Sequence, residues 1–137
     1  MRNEFDYELS YTEKLKNDST LFEKEYGKLK QSYSFKEDEK IHEFIHKNPG
    51  LLILLDKFQP DLENLFPNGK FELEIDEDPE IDCTTLIVRI SVGKKLFNNG
   101  MMQKIDKINF KQVSLMQEMR LMSKMLLIPD ILKKELN

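Results

Sequence analysis

The sequence predicts an α+β fold: N-terminal helices, a central leucine-rich helix packed on an antiparallel β-hairpin, and a C-terminal segment that is helical or mixed. Three observations carry that prediction. Leu51, Leu54, Leu55, Phe58, Leu62, Leu65 and Phe66 repeat at helical spacing. Phe71, Leu73 and Ile75, then Leu86, Val88, Ile90 and Val92, alternate with the strand period. Both runs are closed by turn chemistry, Pro67-Asn68-Gly69 and the acidic Glu77–Asp82 loop. A chain of 137 residues is one domain by length, 1–137.

From the N-terminus, Phe5, Tyr7, Leu9 and Tyr11 alternate with polar residues. That period predicts an arm or edge strand within residues 1–18. Thr20 and Glu23 have capping-box spacing, and Phe22, Tyr26, Leu29 and Tyr33 follow as one helical face. Ser34 and Glu37 form a second such pair ahead of a helix over residues 36–47. Asn48 and Pro49 then fit the N-cap and first turn of the leucine-rich helix, in which Pro60 predicts a kink. Its seven apolar side chains, at roughly 1.5–3 kcal/mol each when buried, make it the expected centre of the core.

Each strand of the hairpin has one apolar face, so one face covers the helix and the other meets water. Arg89 is placed to pair with Glu72 or Glu74, a surface pair worth about 0–1 kcal/mol. The loop acids lack the order and terminal glutamate of an EF-hand and read as a solvated turn. Residues 101–108 read as helix. Residues 111–128 fit a helix through Val113, Leu115, Met116, Met119, Met122 and Leu126, or a strand over 124–128.

Composition describes a soluble, cytoplasmic protein: 34% charged residues, 39% apolar ones, and no apolar run longer than Leu51–Leu55. The start, MRNEFDYELS, has no apolar signal region. The single cysteine, Cys83, fits a reducing compartment and reads as an inert thiol. Net charge is −4, but 12 basic and 21 acidic residues lie up to Val92, a net of −9, against 9 and 4 beyond it, a net of +5. Such asymmetry is a mark of anion-binding segments, nucleic acid included. No aromatic residue follows Phe110 to stack on bases, however, so packing against acidic protein surface is the preferred reading.

One motif carries potential chemistry. His42-Glu43-Phe44-Ile45-His46 spells HExxH, which on a helix sets two zinc ligands one turn apart with Glu43 as base. No third histidine exists, and the carboxylates Glu63, Glu72, Glu74, Asp76 and Asp78 lie in no second motif. The metzincin continuation is absent. Ile41, Phe44 and Ile45 form the apolar stripe, leaving both histidines at its flank. The favoured expectation is no metal, no cofactor and no catalytic residue; a minimal zinc-dependent peptidase using His42, Glu43 and His46 is the alternative.

Residues 38–110 resemble a group of small, uncharacterised bacterial and archaeal proteins. The stretches that carry the resemblance are FIHKNPGLLILL, LENLFPNGKFELEIDEDPE, LIVRISV and KIDKINF. It implies a short helix, a leucine-rich helix ending in Phe-Pro, an acidic-ended hairpin and a further helix. It also implies a role as a binding partner in toxin–antitoxin-like or mobile gene pairs, with no catalytic residues to transfer. Those proteins tend to end in a tryptophan-containing segment, whereas this chain has no tryptophan and six of its seven methionines fall between Met101 and Met125. Methionine-rich faces adapt to partners. The expected function is therefore association, with a protein partner or as a homodimer, through that segment.

Overall fold

The computed structural model describes residues 4–133. In chain order the elements are α1 Asp6–Asn17, α2 Ser19–Leu29, β1 Ser34–Phe35, α3 Asp38–Lys47, α4 Gly50–Leu65, β2 Lys70–Asp78, β3 Cys83–Val92, α5 Lys94–Phe97, α6 Met101–Glu118 and β4 Met125–Ile131. The strands form one sheet in the order β1-β2-β3-β4. β2 and β3 are antiparallel, while β1 runs parallel to β2 and β4 parallel to β3. Each parallel pair needs a crossover, and helices supply both: α3 and α4 between β1 and β2, α5 and α6 between β3 and β4. The fold is α+β, as expected.

The hairpin follows the alternation. Phe71 faces Ile90, Leu73 faces Val88 and Ile75 faces Leu86. These side chains, with Met125 and Leu127 of β4, belong to or pack against one core shared with the helices. On the opposite face Arg89 donates to Glu74, not Glu72, through Nε and Nη2, and its Nη1 lies 3.6 Å from Asp130 of β4.

Leu51, Leu54, Leu55, Phe58 and Leu62 of α4 are fully buried, because helical spacing puts them on one broad face. The helix runs through Pro60 without ending there. Its nearest backbone neighbours are α1, α2, α3 and α6, while the helix backbones that approach the sheet most closely are those of α3, α5 and α6. The leucine-rich helix is thus the middle of the helical layer, and its buried face shares one core with Phe71, Leu73, Leu86, Val88 and Ile90 of the hairpin. Gly50 marks its tightest approach, since a Cβ there would sit 3.1 Å from Leu121 Cδ1 and 3.2 Å from Met119 Sδ.

Four expectations in the N-terminal half are corrected. The arm or strand within residues 1–18 is helix α1 over its described part. Tyr7 and Tyr11 stack at 6.0 Å one turn apart, Leu15 is buried, and acids open the helix while lysines close it, matching its dipole. Helix α2 is capped by Asp18, whose carboxylate accepts from Leu21 N at 3.0 Å, so Thr20 lies inside it. Ser34 caps nothing; it pairs with Glu72 in β1, and α3 begins after Glu37. Asn48 closes α3 through Nδ2 to the Phe44 carbonyl at 3.0 Å instead of opening α4.

The ambiguous C-terminal stretch is both helix and strand, divided by a Schellman turn. Arg120 N donates to Gln117 O and Leu121 N to Met116 O, with Arg120 left-handed at φ 58°. Buried Leu121 and Met116 supply the apolar contact of that motif. The chain then enters β4 with its backbone turned toward β3.

Candidate functional site

The HExxH segment is folded as a packing device. α3 presents His42 and His46 side by side, with ring centroids 6.1 Å apart, over the α2 aromatics. Both rings meet Phe22 edge-on, at 5.5 and 5.1 Å, and His42 meets Tyr26 at 4.7 Å. His42 Nε2 lies 2.6 Å from Glu23 Oε1. Glu43, which a hydrolase would need beside the metal, pairs instead with Lys47 Nζ at 3.1 Å. Among the described residues no three His, Cys, Asp or Glu side chains gather as a metal site.

Around this cluster the polar groups tie α2 to α3. Tyr26 donates to Asp38 Oδ1 at 2.6 Å, and Lys30 Nζ reaches Asp38 Oδ2 at 2.5 Å. Burial, then the Asp38 hydrogen bond, drives the Tyr26 phenol far above its ordinary range. Hydrogen bonds from Lys30 and Tyr26 hold the Asp38 carboxyl below its own. Burial accounts first for the Tyr26 shift and hydrogen bonds within the α2–α3 contact for that of Asp38.

The other sequence candidates disperse. Cys83 Sγ is 3.8 Å from Thr85 Oγ1 and half-buried. In the acidic loop Asp78 accepts from Glu80 N at 3.1 Å, a local turn contact. A cleft of about 310 Å³ between α1, α2 and α4 includes Glu8 and Glu25, but these pair with Lys57 and Lys28.

The methionines do not form one face. Met101, Met116 and Met125 are buried and Met119 packs on the core, while Met102 and Met122 are exposed. The apolar surface that remains is narrower. Phe110, 81% exposed, stands with Val113, Met116, Met122, Met125 and Leu126 around a groove of about 360 Å³. Asp106 and Asn109 give it a polar rim. Leu126 and Met122 are 52% and 49% exposed. Large apolar side chains gathered in this way mark contact sites, whereas scattered ones need no explanation. The sequence reading named the Met101–Met125 segment for its methionines and gave Phe110, which lies within it, no part in the contact.

The groove runs along the outer edge of β4, with which no described strand pairs. Leu86 N donates to Lys124 O and Leu132 N to Val92 O, so even-numbered residues of β4 turn their backbone groups inward. Met125, Leu127, Pro129 and Ile131 therefore turn theirs outward. Pro129 has no N–H, and Ile131 N is taken by Asp130 Oδ1 at 2.8 Å. Such blunting protects an edge against indiscriminate pairing. The unblunted part is Met125–Leu127, beside the groove.

Comparison of the chain with protein-family models, curated proteins and solved structures finds no match. No helix among the described residues is long and apolar enough to cross a membrane.

Proposed function

We propose that this protein is a non-catalytic association module whose contact surface is the α6–β4 groove. The single observation that carries the reading is Phe110, a large aromatic side chain held out in water on an ordered helix beside Met122 and Leu126. Aromatic and methionine side chains are enriched where proteins meet. The resemblance of residues 38–110 to small proteins of toxin–antitoxin-like gene pairs supports a protein partner, either a second copy of the chain or a neighbouring gene's product, in a cytoplasmic setting.

The experiment is light scattering of the purified protein, alone and mixed with that product, beside a Phe110→Ser variant. A complex or dimer that the variant weakens at least tenfold supports the reading. Association unaffected by Phe110→Ser would place the contact elsewhere. The zinc-peptidase reading through His42, Glu43 and His46 is the second choice, because Glu43 is paired with Lys47 and both rings are packed against Phe22.

A further inference from the structure

We infer that the occupant of the groove is a second copy of this chain, added strand to strand: β4 pairs antiparallel with β4 of the other copy across a twofold axis at Leu126. This rests on the reading of the groove as an association surface and specifies its partner. The outward groups of β4 are selective. Donors and acceptors are both open only at Met125 and Leu127, with Pro129 silent and Ile131 N occupied by Asp130. An antiparallel partner satisfies both residues in full when Met125 faces Leu127 of the other strand. By symmetry Leu127 then faces its Met125, giving two hydrogen-bonded pairs. A twofold placed one residue further on would oppose Met125 to Pro129 and lose a donor.

The same register places Leu126 against Leu126 as a non-hydrogen-bonded pair, where Cα atoms approach to about 4.5 Å. Each half-exposed leucine is covered by the other, and Phe110 lies within the groove beside the incoming strand. Charges also match. Lys124 and Asp130 lie on the same face as Leu126, and the register makes each Lys124 the diagonal neighbour of the other copy's Asp130, twice over. The two four-stranded sheets would join as one of eight strands. A contact centred on so few residues falls at the small end of interfaces, below roughly 1,200 Å², so the dimer is transient and concentration-dependent.

The test uses Leu126→Cys in a Cys83→Ser background, oxidised over a concentration series, with Ile128→Cys as the control. The register brings the two cysteines introduced at position 126 within the Cα range of a disulfide, about 4.4–6.8 Å, but keeps a pair introduced at position 128 roughly 14 Å apart. Expected is a disulfide-linked dimer from the first variant, rising with concentration and at least tenfold above the second. Wild-type dimers that Phe110→Ser dissociates, without Leu126→Cys cross-linking, would overturn the strand pairing and leave the association reading standing. A monomer at all concentrations that still binds the neighbouring gene's product through Phe110 would overturn the second copy as occupant. No association of either kind would overturn both.

Discussion

Replacing Leu55 by alanine removes a side chain that is 0% exposed in the middle of α4. Its backbone oxygen accepts from the Tyr33 hydroxyl at 2.6 Å, a bond that alanine leaves in place, so the change isolates the side chain. At roughly 0.8 kcal/mol per buried methylene, the lost transfer energy is about 2 kcal/mol. α4 is flanked by α1, α2, α3 and α6, which cannot all collapse inward, so a cavity term follows and the total reaches about 2–5 kcal/mol. A domain of this size holds about 5–15 kcal/mol, so the variant should still fold. Urea denaturation should show a lower midpoint at unchanged slope. Leu126→Ala, half-exposed, should cost below about 1 kcal/mol in dilute solution. A Leu55→Ala cost as small as that would mean α4 is not the centre of the core.

Other expectations concern the turn, the sheet and the histidines. Arg120→Gly should stabilise by up to about 1 kcal/mol, because glycine adopts the left-handed C′ conformation without the Cβ clash; clear destabilisation in the same urea assay would deny that geometry. Burial alone would raise the Glu74 pKa, but the hydrogen bond and charge of Arg89, with Lys36, outweigh it and hold the carboxyl below its ordinary 4.5. A depressed folded-state value contributes stability above the unfolded value that is lost as pH falls through the folded one. Acid titration of Glu74→Gln should therefore show a smaller loss between neutral pH and pH values below 4.5 than the wild type, and an identical curve would refute the pairing. His46→Ala should loosen the packing on Phe22 and leave metal content unchanged, well under one zinc per chain by elemental analysis; stoichiometric zinc lost in the variant would restore the peptidase reading.

The parts of the fold that could be read in advance are those where one period dominates. α4 and the β2–β3 hairpin carry strict helical and strand alternation and formed where the pattern placed them, except that β2 runs on through Glu77 and Asp78 of the expected loop, which pair with Thr84 and Cys83. α1 is masked because Phe5, Tyr7, Leu9 and Tyr11 alternate with the strand period, while the helical signal lies in the one-turn spacing of Tyr7, Tyr11 and Leu15, the last packed in the core. β1 has two residues, too few for any period, and exists because Phe71–Leu73 of β2 offers an edge. The end of α6 lacked its usual signal, since arginine stands where glycine commonly provides the left-handed turn. The histidines show a further gap. Their spacing is legible, but Phe22 beneath both rings belongs to a different helix, and only tertiary packing brings it there. The groove joins Phe110 and Leu126 from α6 and β4 in the same way.

Hydrogen–deuterium exchange, read from dilute to concentrated protein and again with the neighbouring gene's product, tests the association surface most directly. Association should slow exchange over residues 106–127, with the Met125 and Leu127 amides protected most if strand pairing forms. Protection centred on α3, around His42 and His46, or no change at any concentration or with the partner, would contradict it.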